Sequence, residues 1–112
     1  MKTSNSIIMP PLTSMARTLA GKTVLITGAS SGIGRSTAFE FARTSPQSLK
    51  LIITARRVDR LHEISNQIRE ENGDGVQVCV KQLDVSKPEE VSGLVASLPE
   101  EFRDIDILVN NA

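Results

Sequence analysis

The sequence predicts an α/β fold, with four parallel strands in the spatial order 3-2-1-4 and helices on both faces of the sheet. Short apolar runs rich in Val and Ile alternate with segments whose apolar residues recur at helical spacing, and strict alternation of this kind joins strands by crossovers rather than hairpins. A glycine-rich turn, TGASSGIG at residues 27–34, lies where the first run gives way to the first helical segment. Composition is the third observation: 112 residues, 39% hydrophobic and 23% charged, suit one globular domain and no more.

Residues 1–20 read as a flexible leader, rich in Ser and Thr, with adjacent prolines at Pro10 and Pro11; the first acidic residue of the whole chain is Glu40. Lys2 and Arg17 in this acid-free start give a faint mitochondrial-presequence pattern that the proline pair interrupts. The expected compartment is the cytoplasm, and the domain proper is set at residues 21–112. TVLIT, residues 23–27, is a continuous apolar run of the kind that forms a strand buried on both faces. Helix one is predicted over about 32–44, with Ile33, Ala38, Phe41 and Ala42 inward, and TSPQS at 44–48 stops it. Strand two is LKLIITA at 49–55. Leu61, Ile64 and Ile68 then mark helix two, between Asp59 as its cap and the breaker NGDG at 72–75. Strand three is VQVCVKQLDV at 76–85. Ser86, Pro88 and Glu89 predict a capping-box start for helix three, with Val91, Leu94, Val95 and Leu98 inward and Pro99 as its stop. IDILV at 105–109 is strand four.

Right-handed crossovers between these strands give one half of a Rossmann doubly wound sheet plus the first strand beyond its switch point. The reversal after strand three puts helix three on the face opposite helices one and two. One face is then covered by a single helix and strand four is an edge, so the 112 residues alone are expected to be marginally folded, aggregation-prone or dependent on a partner.

Several function classes are excluded or disfavoured. Thirteen basic residues balance thirteen acidic ones and only three residues are aromatic, so neither the basic field nor the stacking platforms of a nucleic-acid binder are present. No apolar run approaches the roughly 20 residues of a membrane-spanning helix. The single cysteine, Cys79, cannot form an internal disulfide; mid-strand, it reads as a small buried hydrophobe. His62 falls off the inward stripe of helix two and reads as a solvated residue, and no His or Cys cluster offers a metal site. Tyrosine is absent altogether, which rules out a tyrosine acid or base within these residues.

The glycine turn carries the chemistry. Gly28 permits a sharp exit from strand one, Gly32 lets a pyrophosphate approach the backbone, and Gly34 lets the helix pack close. The first-turn N–H groups, those of Gly32, Ile33 and Gly34, lie at the positive end of the helix dipole and face the phosphates. Ser30 and Ser31 add hydroxyl donors. The plain alternative, an ordinary Gly/Ser turn, does not account for a strand before it and a helix after it.

The spacing G-x-x-x-G-x-G, the pair Asp84–Val85 and the terminal Asn110–Asn111–Ala112 together resemble the short-chain dehydrogenase/reductase family over about residues 22–112. KTVLITGASSGIG, ITARRVDRL, QLDV and SLPEEFRDIDILVNNA resemble most its NADP-dependent 3-hydroxy acid dehydrogenase branch, which acts on serine, allo-threonine and similar substrates. The resemblance implies that the glycine loop holds the pyrophosphate. It also implies that Asp84 and Val85 flank the adenine, and that Asn110, Asn111 and Ala112 support the sheet and touch the ribose. Family members are usually homo-oligomers, through elements that lie downstream.

Cofactor choice follows from the residues as well. An NAD-binding strand two ends in Asp or Glu, which accepts bonds from the ribose hydroxyls; here the strand ends in Thr54, Ala55, Arg56 and Arg57. Guanidinium groups at that place suit a 2′-phosphate, which a carboxylate would repel. NADP(H) is the expected cofactor, with Arg57 the more readily explained of the two as a solvated surface charge.

The same resemblance implies hydride transfer, with a tyrosine as acid or base, a lysine that lowers its pKa and a serine that polarises the substrate oxygen. Those residues belong to strand five and the helix after it, and the sequence contains no Tyr-x-x-x-Lys pattern. Two classes stay open. The chain is the cofactor-binding front half of an NADP-dependent oxidoreductase of small 3-hydroxy acids, itself inactive, or it is a non-catalytic nucleotide-binding module or truncated product.

Overall fold

A computed structural model describes residues 19–111 of the chain. In chain order its elements are β1 (Thr23–Ile26), α1 (Gly32–Thr44), β2 (Leu49–Ala55), α2 (Val58–Asn72), β3 (Val76–Gln82), α3 (Pro88–Ser97) and β4 (Ile107–Val109). Single 3₁₀ turns at Gly73–Gly75 and Glu100–Phe102 precede β3 and β4. The four strands form one sheet in the order β3-β2-β1-β4, and every pairing is parallel. This is the predicted topology. Apart from Leu19 and Ala20, the leader expected over 1–20 lies outside the described residues, as does Ala112. Leu19 itself is buried in the core.

Because side chains alternate across a strand, neighbours in sequence feed different cores. Val24 and Ile26 of β1, with Leu51 and Ile53 of β2, face α1 and α2, where Ala38, Phe39 and Ala42 meet Leu61, Ile64 and Ile68. Leu25 and Ile52 face the other way, against Leu94, Leu98, Phe102 and Leu83. Helix α3 therefore covers the face opposite α1 and α2, as the reversal after β3 requires. Burying a Leu or Ile side chain contributes about 1.5–3 kcal/mol, so the two-helix face supplies most of the hydrophobic stabilisation. Among the described residues no helix is long and apolar enough to cross a membrane.

Several local expectations are corrected. In α1 the buried aromatic is Phe39, not Phe41, which is only half-buried, and Ile33 is 74% exposed. Ile33 lies in the first turn of α1, off the buried row of Gly34, Ala38 and Ala42. In α3 only Leu94 is buried, with Leu98 just past the helix end; Val91 and Val95 are exposed, because one row of side chains makes the whole contact. The predicted capping box does not form. Lys87 is the N-cap of α3 and makes no side-chain cap, while the Ser86 hydroxyl donates to Asp84 Oδ1 at 2.6 Å. The helix start offers only N–H donors, whereas the Asp84 carboxylate two residues upstream accepts both the Ser86 N–H and its hydroxyl, so the serine is held in an Asx turn instead. Arg57, not Asp59, is the N-cap of α2, and Asp59 sits in the first turn.

Strand ends also shift. The ladder of β3 stops at Gln82 rather than residue 85, because the Asp84 carbonyl accepts the Lys87 N–H at 3.0 Å and turns the chain. β4 begins at Ile107 rather than residue 105. Cys79 is half-buried, not fully buried; it points to the face that α3 alone covers, and its thiol pKa is raised chiefly by burial.

Candidate functional site

The carboxyl ends of four parallel strands lie along one edge of the sheet, and the residues predicted to bind a dinucleotide lie there with them. Thr27 follows β1 directly and ties that edge together. Its N–H donates to Val109 O at 3.0 Å, and its hydroxyl donates to Asn110 Oδ1 at 3.1 Å while accepting the Asn111 N–H at 2.9 Å. Asn111 Nδ2 reaches Gly28 O at 3.4 Å. On the other side the Ala29 N–H donates to Thr54 O at 2.9 Å, at the end of β2. The glycine turn is thus fixed by both neighbouring strands.

The three glycines of the turn serve different needs. Gly28 has φ +61°, and a Cβ there would lie 2.8 Å from Asn111 O. Gly34 has no room for a Cβ, which would overlap the Gly28 carbonyl and come within 2.7 Å of Asn111 Nδ2; its close approach is to the turn itself. Gly32 has φ +59°, yet a Cβ there would meet nothing. That open space lies over the start of α1. The Arg35 N–H bonds to Ser31 O at 3.4 Å, so the N–H groups of Gly32, Ile33 and Gly34 precede the first helical bond and have no partner within the helix. Ser31 is the N-cap residue and makes no side-chain cap. It is exposed, with Ser30 half-buried beside it. Gly32 and Ile33 are exposed and Gly34 is buried behind them; exposed donors at the positive end of a helix suit an anion.

Arg56 and Arg57 are both exposed and leave β2 at this same edge. The Arg56 carbonyl accepts a hydrogen bond from Gln82 Nε2 at 3.2 Å. Beyond β3, Asp84 Oδ1 accepts both the Ser86 hydroxyl and its N–H. These bonds hold the Asp84 carboxyl below the usual carboxylate range; desolvation opposes them, and the Lys87 and Arg56 charges add the smallest help. The Asp84 N–H donates to Glu90 Oε1 at 3.2 Å, which secures the turn to α3. Val85 is exposed.

The structure brings Gly28–Gly34, Arg56, Arg57, Asp84, Val85, Asn110 and Asn111 to one edge; Ala112 lies outside the described residues. Sequence reasoning missed Thr27, Thr54, Gln82 and Glu90 as the groups that hold this edge. A threonine closing each of two apolar runs was the available signal for the first two. His62 is exposed on α2, and no group of His, Cys, Asp or Glu among the described residues could hold a metal. An open cleft of about 290 Å³ on the outside of α1 and α2, where Arg35 stacks 4.8 Å over Phe39, shares no residue with the edge.

Residues 22–112 match the family model described as short chain dehydrogenase. The chain is 51% identical over 94 residues to an NADP-dependent 3-hydroxy acid dehydrogenase of Schizosaccharomyces pombe, covering 84% of this chain and 35% of that one. A solved structure of L-sorbose reductase from Gluconobacter frateurii, complexed with NADPH and L-sorbose, is similar with a TM-score of 0.72 and 42% identity. That likeness covers 84% of this chain and 34% of the other. A short-chain dehydrogenase from Sphingobium yanoikuyae in complex with NADPH is similar with a TM-score of 0.67 and 42% identity, over 81% and 33% of the two chains. The chain spans about a third of the length of the relatives it matches.

Proposed function

The chain belongs to the short chain dehydrogenase family, and from that premise we propose that it forms the NADP-holding part of an oxidoreductase. The carrying observation is that two exposed guanidinium groups, Arg56 and Arg57, leave β2 beside an open N–H cradle, with no carboxylate at the strand end. The cradle suits a pyrophosphate: of the three glycines in the turn, Gly32 is the one whose Cβ would occupy open space, and it stands at the helix start.

In this reading the N–H groups of Gly32, Ile33 and Gly34, with the Ser30 and Ser31 hydroxyls, hold the two phosphates. Gly28 and Gly34 keep the turn tight. Arg56 and Arg57 bind the 2′-phosphate through charge-assisted bonds. Asp84 and Val85 flank the adenine, and Asn110, Asn111 and Ala112 line the ribose. Bound NADP supplies hydride chemistry at the nicotinamide. The substrate we propose for the whole protein is the hydroxyl or carbonyl of a small 3-hydroxy acid, on the strength of the 51% identity to the Schizosaccharomyces pombe enzyme.

These 112 residues contain no tyrosine, and we propose that by themselves they bind cofactor without turning it over. A positioned acid or base is worth about 10²- to 10⁴-fold in rate. Titration of NADP and NAD into the chain and its Arg56→Ala variant tests the reading. One charge-assisted bond at roughly 1.5–3 kcal/mol corresponds to a preference of about 10-fold or more for NADP, and Arg56→Ala is expected to remove most of it. Equal affinities in the unaltered chain would refute the assignment.

A further inference from the structure

We propose that Gln82 is a positioning residue for cofactor discrimination: its side-chain amide fixes the main chain of Arg56 and so aims that guanidinium at the 2′-phosphate. The inference rests on the proposed reading of Arg56 and extends it to a residue on a different strand.

Register makes the case. The parallel ladder between β2 and β3 ends with the pair Ala55 and Gln82, and the Leu83 N–H adds a last bond to Ala55 O at 2.9 Å. Arg56 is the first residue beyond it. Two residues later α2 begins, and its N-cap, Arg57, has extended backbone and no side-chain cap. The corner that carries both arginines is therefore held neither by the sheet nor by a cap. Among the described residues one side-chain hydrogen bond reaches it, from Gln82 Nε2 to Arg56 O at 3.2 Å. Gln82 is itself exposed, on the edge strand of the sheet. No core contact calls for glutamine there.

Aim matters because an arginine side chain loses much rotamer freedom when it docks on a phosphate. A fixed main chain confines the guanidinium to one cone before binding, which lowers that cost. An untethered corner also has an internal competitor. The Asp84 carboxylate, on the exit from β3, already feels the Arg56 charge. A swinging Arg56 would be drawn toward it and away from the ligand.

NADP and NAD differ only in the 2′-phosphate, so the ratio of their affinities separates aim from general damage. Both cofactors are titrated by calorimetry into the chain and into Gln82→Leu, which keeps the bulk and loses the donor. The expected result is an NAD affinity unchanged within about two-fold and an NADP affinity lowered by about three- to ten-fold. An unchanged ratio, or equal weakening of both cofactors, overturns the role of Gln82 while leaving Arg56 as the anchor. A chain with no preference before any substitution overturns both. If Gln82→Leu does not fold, Gln82→Met carries the same two outcomes.

Discussion

Where the strands begin, the chain closes its own polar groups. The Thr23 N–H donates to Asp106 Oδ2 at 2.9 Å, the Asp106 N–H returns to Thr23 O at 2.9 Å, and Lys50 Nζ reaches Glu101 O at 3.0 Å. A Cβ on Gly75 would overlap the Pro46 carbonyl and come within 2.6 Å of Gln47 Cα. Where the strands finish, the stitching through Thr27, Asn111 and Thr54 is just as dense, but it stops at Ser31. From there the N–H groups of Gly32, Ile33 and Gly34 precede the first helical bond, and Gly32 and Ile33 are exposed. The binding edge is thus no looser than the opposite edge. It is a comparably hydrogen-bonded frame with one gap, and the gap is placed where a helix dipole is positive.

Glycine substitutions break this comparison most sharply. Gly34→Ala drives a methyl into the Gly28 carbonyl and is expected to cost about 3 kcal/mol, at the upper end of overpacking effects, together with cofactor binding. Gly75→Ala makes a similar clash at the other end and is expected to cost about 2 kcal/mol with the ratio of NADP to NAD affinity unchanged. Urea unfolding followed by cofactor titration of both variants checks the pair. Loss of that ratio in Gly75→Ala would show that the two ends are not independent.

Thr27→Val comes next. It keeps the shape of a buried side chain but leaves the Asn111 N–H without its acceptor, which is expected to cost about 1–2 kcal/mol. Because Asn111 also holds Gly28, amide exchange should quicken at the glycine turn and not at residue 106. Uniform quickening would mean that Thr27 serves the core rather than the edge.

The smallest effect is acidic. The Asp84 carboxyl has a lowered pKa in the folded chain, so its contribution is fully present at neutral pH and is lost as pH falls below the usual carboxylate range. Ser86→Ala removes the largest cause of the lowering. It should move the Asp84 titration, followed by its carboxyl carbon in an NMR pH series, upward; an unmoved titration would remove the Ser86 hydroxyl bond from the account, the backbone bond being kept in the variant.

The parts legible from sequence are those set by period and order. LKLIITA reads as a strand over residues 49–55 and forms Leu49–Ala55; the strand order and the side on which α3 packs follow from crossover handedness alone. Hidden parts depend on partners far away in the chain. Thr27 meets Asn110 across 83 residues, a bond that no local pattern announces. Phe39 and Phe41 both suit an amphipathic helix, and only the seat of α1 on the sheet decides between them. Ser86 fits a cap by spacing, but spacing does not show that Asp84 competes for it. At the site, the glycine pattern identifies the turn, while the residues that brace the edge, Thr54 at Ala29, Gln82 at Arg56 and Glu90 at Asp84, sit on other elements with no motif of their own.

An amide chemical-shift map of the ¹⁵N-labelled chain, recorded as NADP is added, tests the central claim most directly. The account expects the largest shifts at residues 31–34 and 56–57, smaller ones at 84–85 and 110–111, and almost none at Thr23, Gly75 and Asp106. Shifts concentrated at the end where the strands begin, or in the outer cleft between Arg35 and Glu71, would contradict it, as would a spectrum unchanged at millimolar NADP.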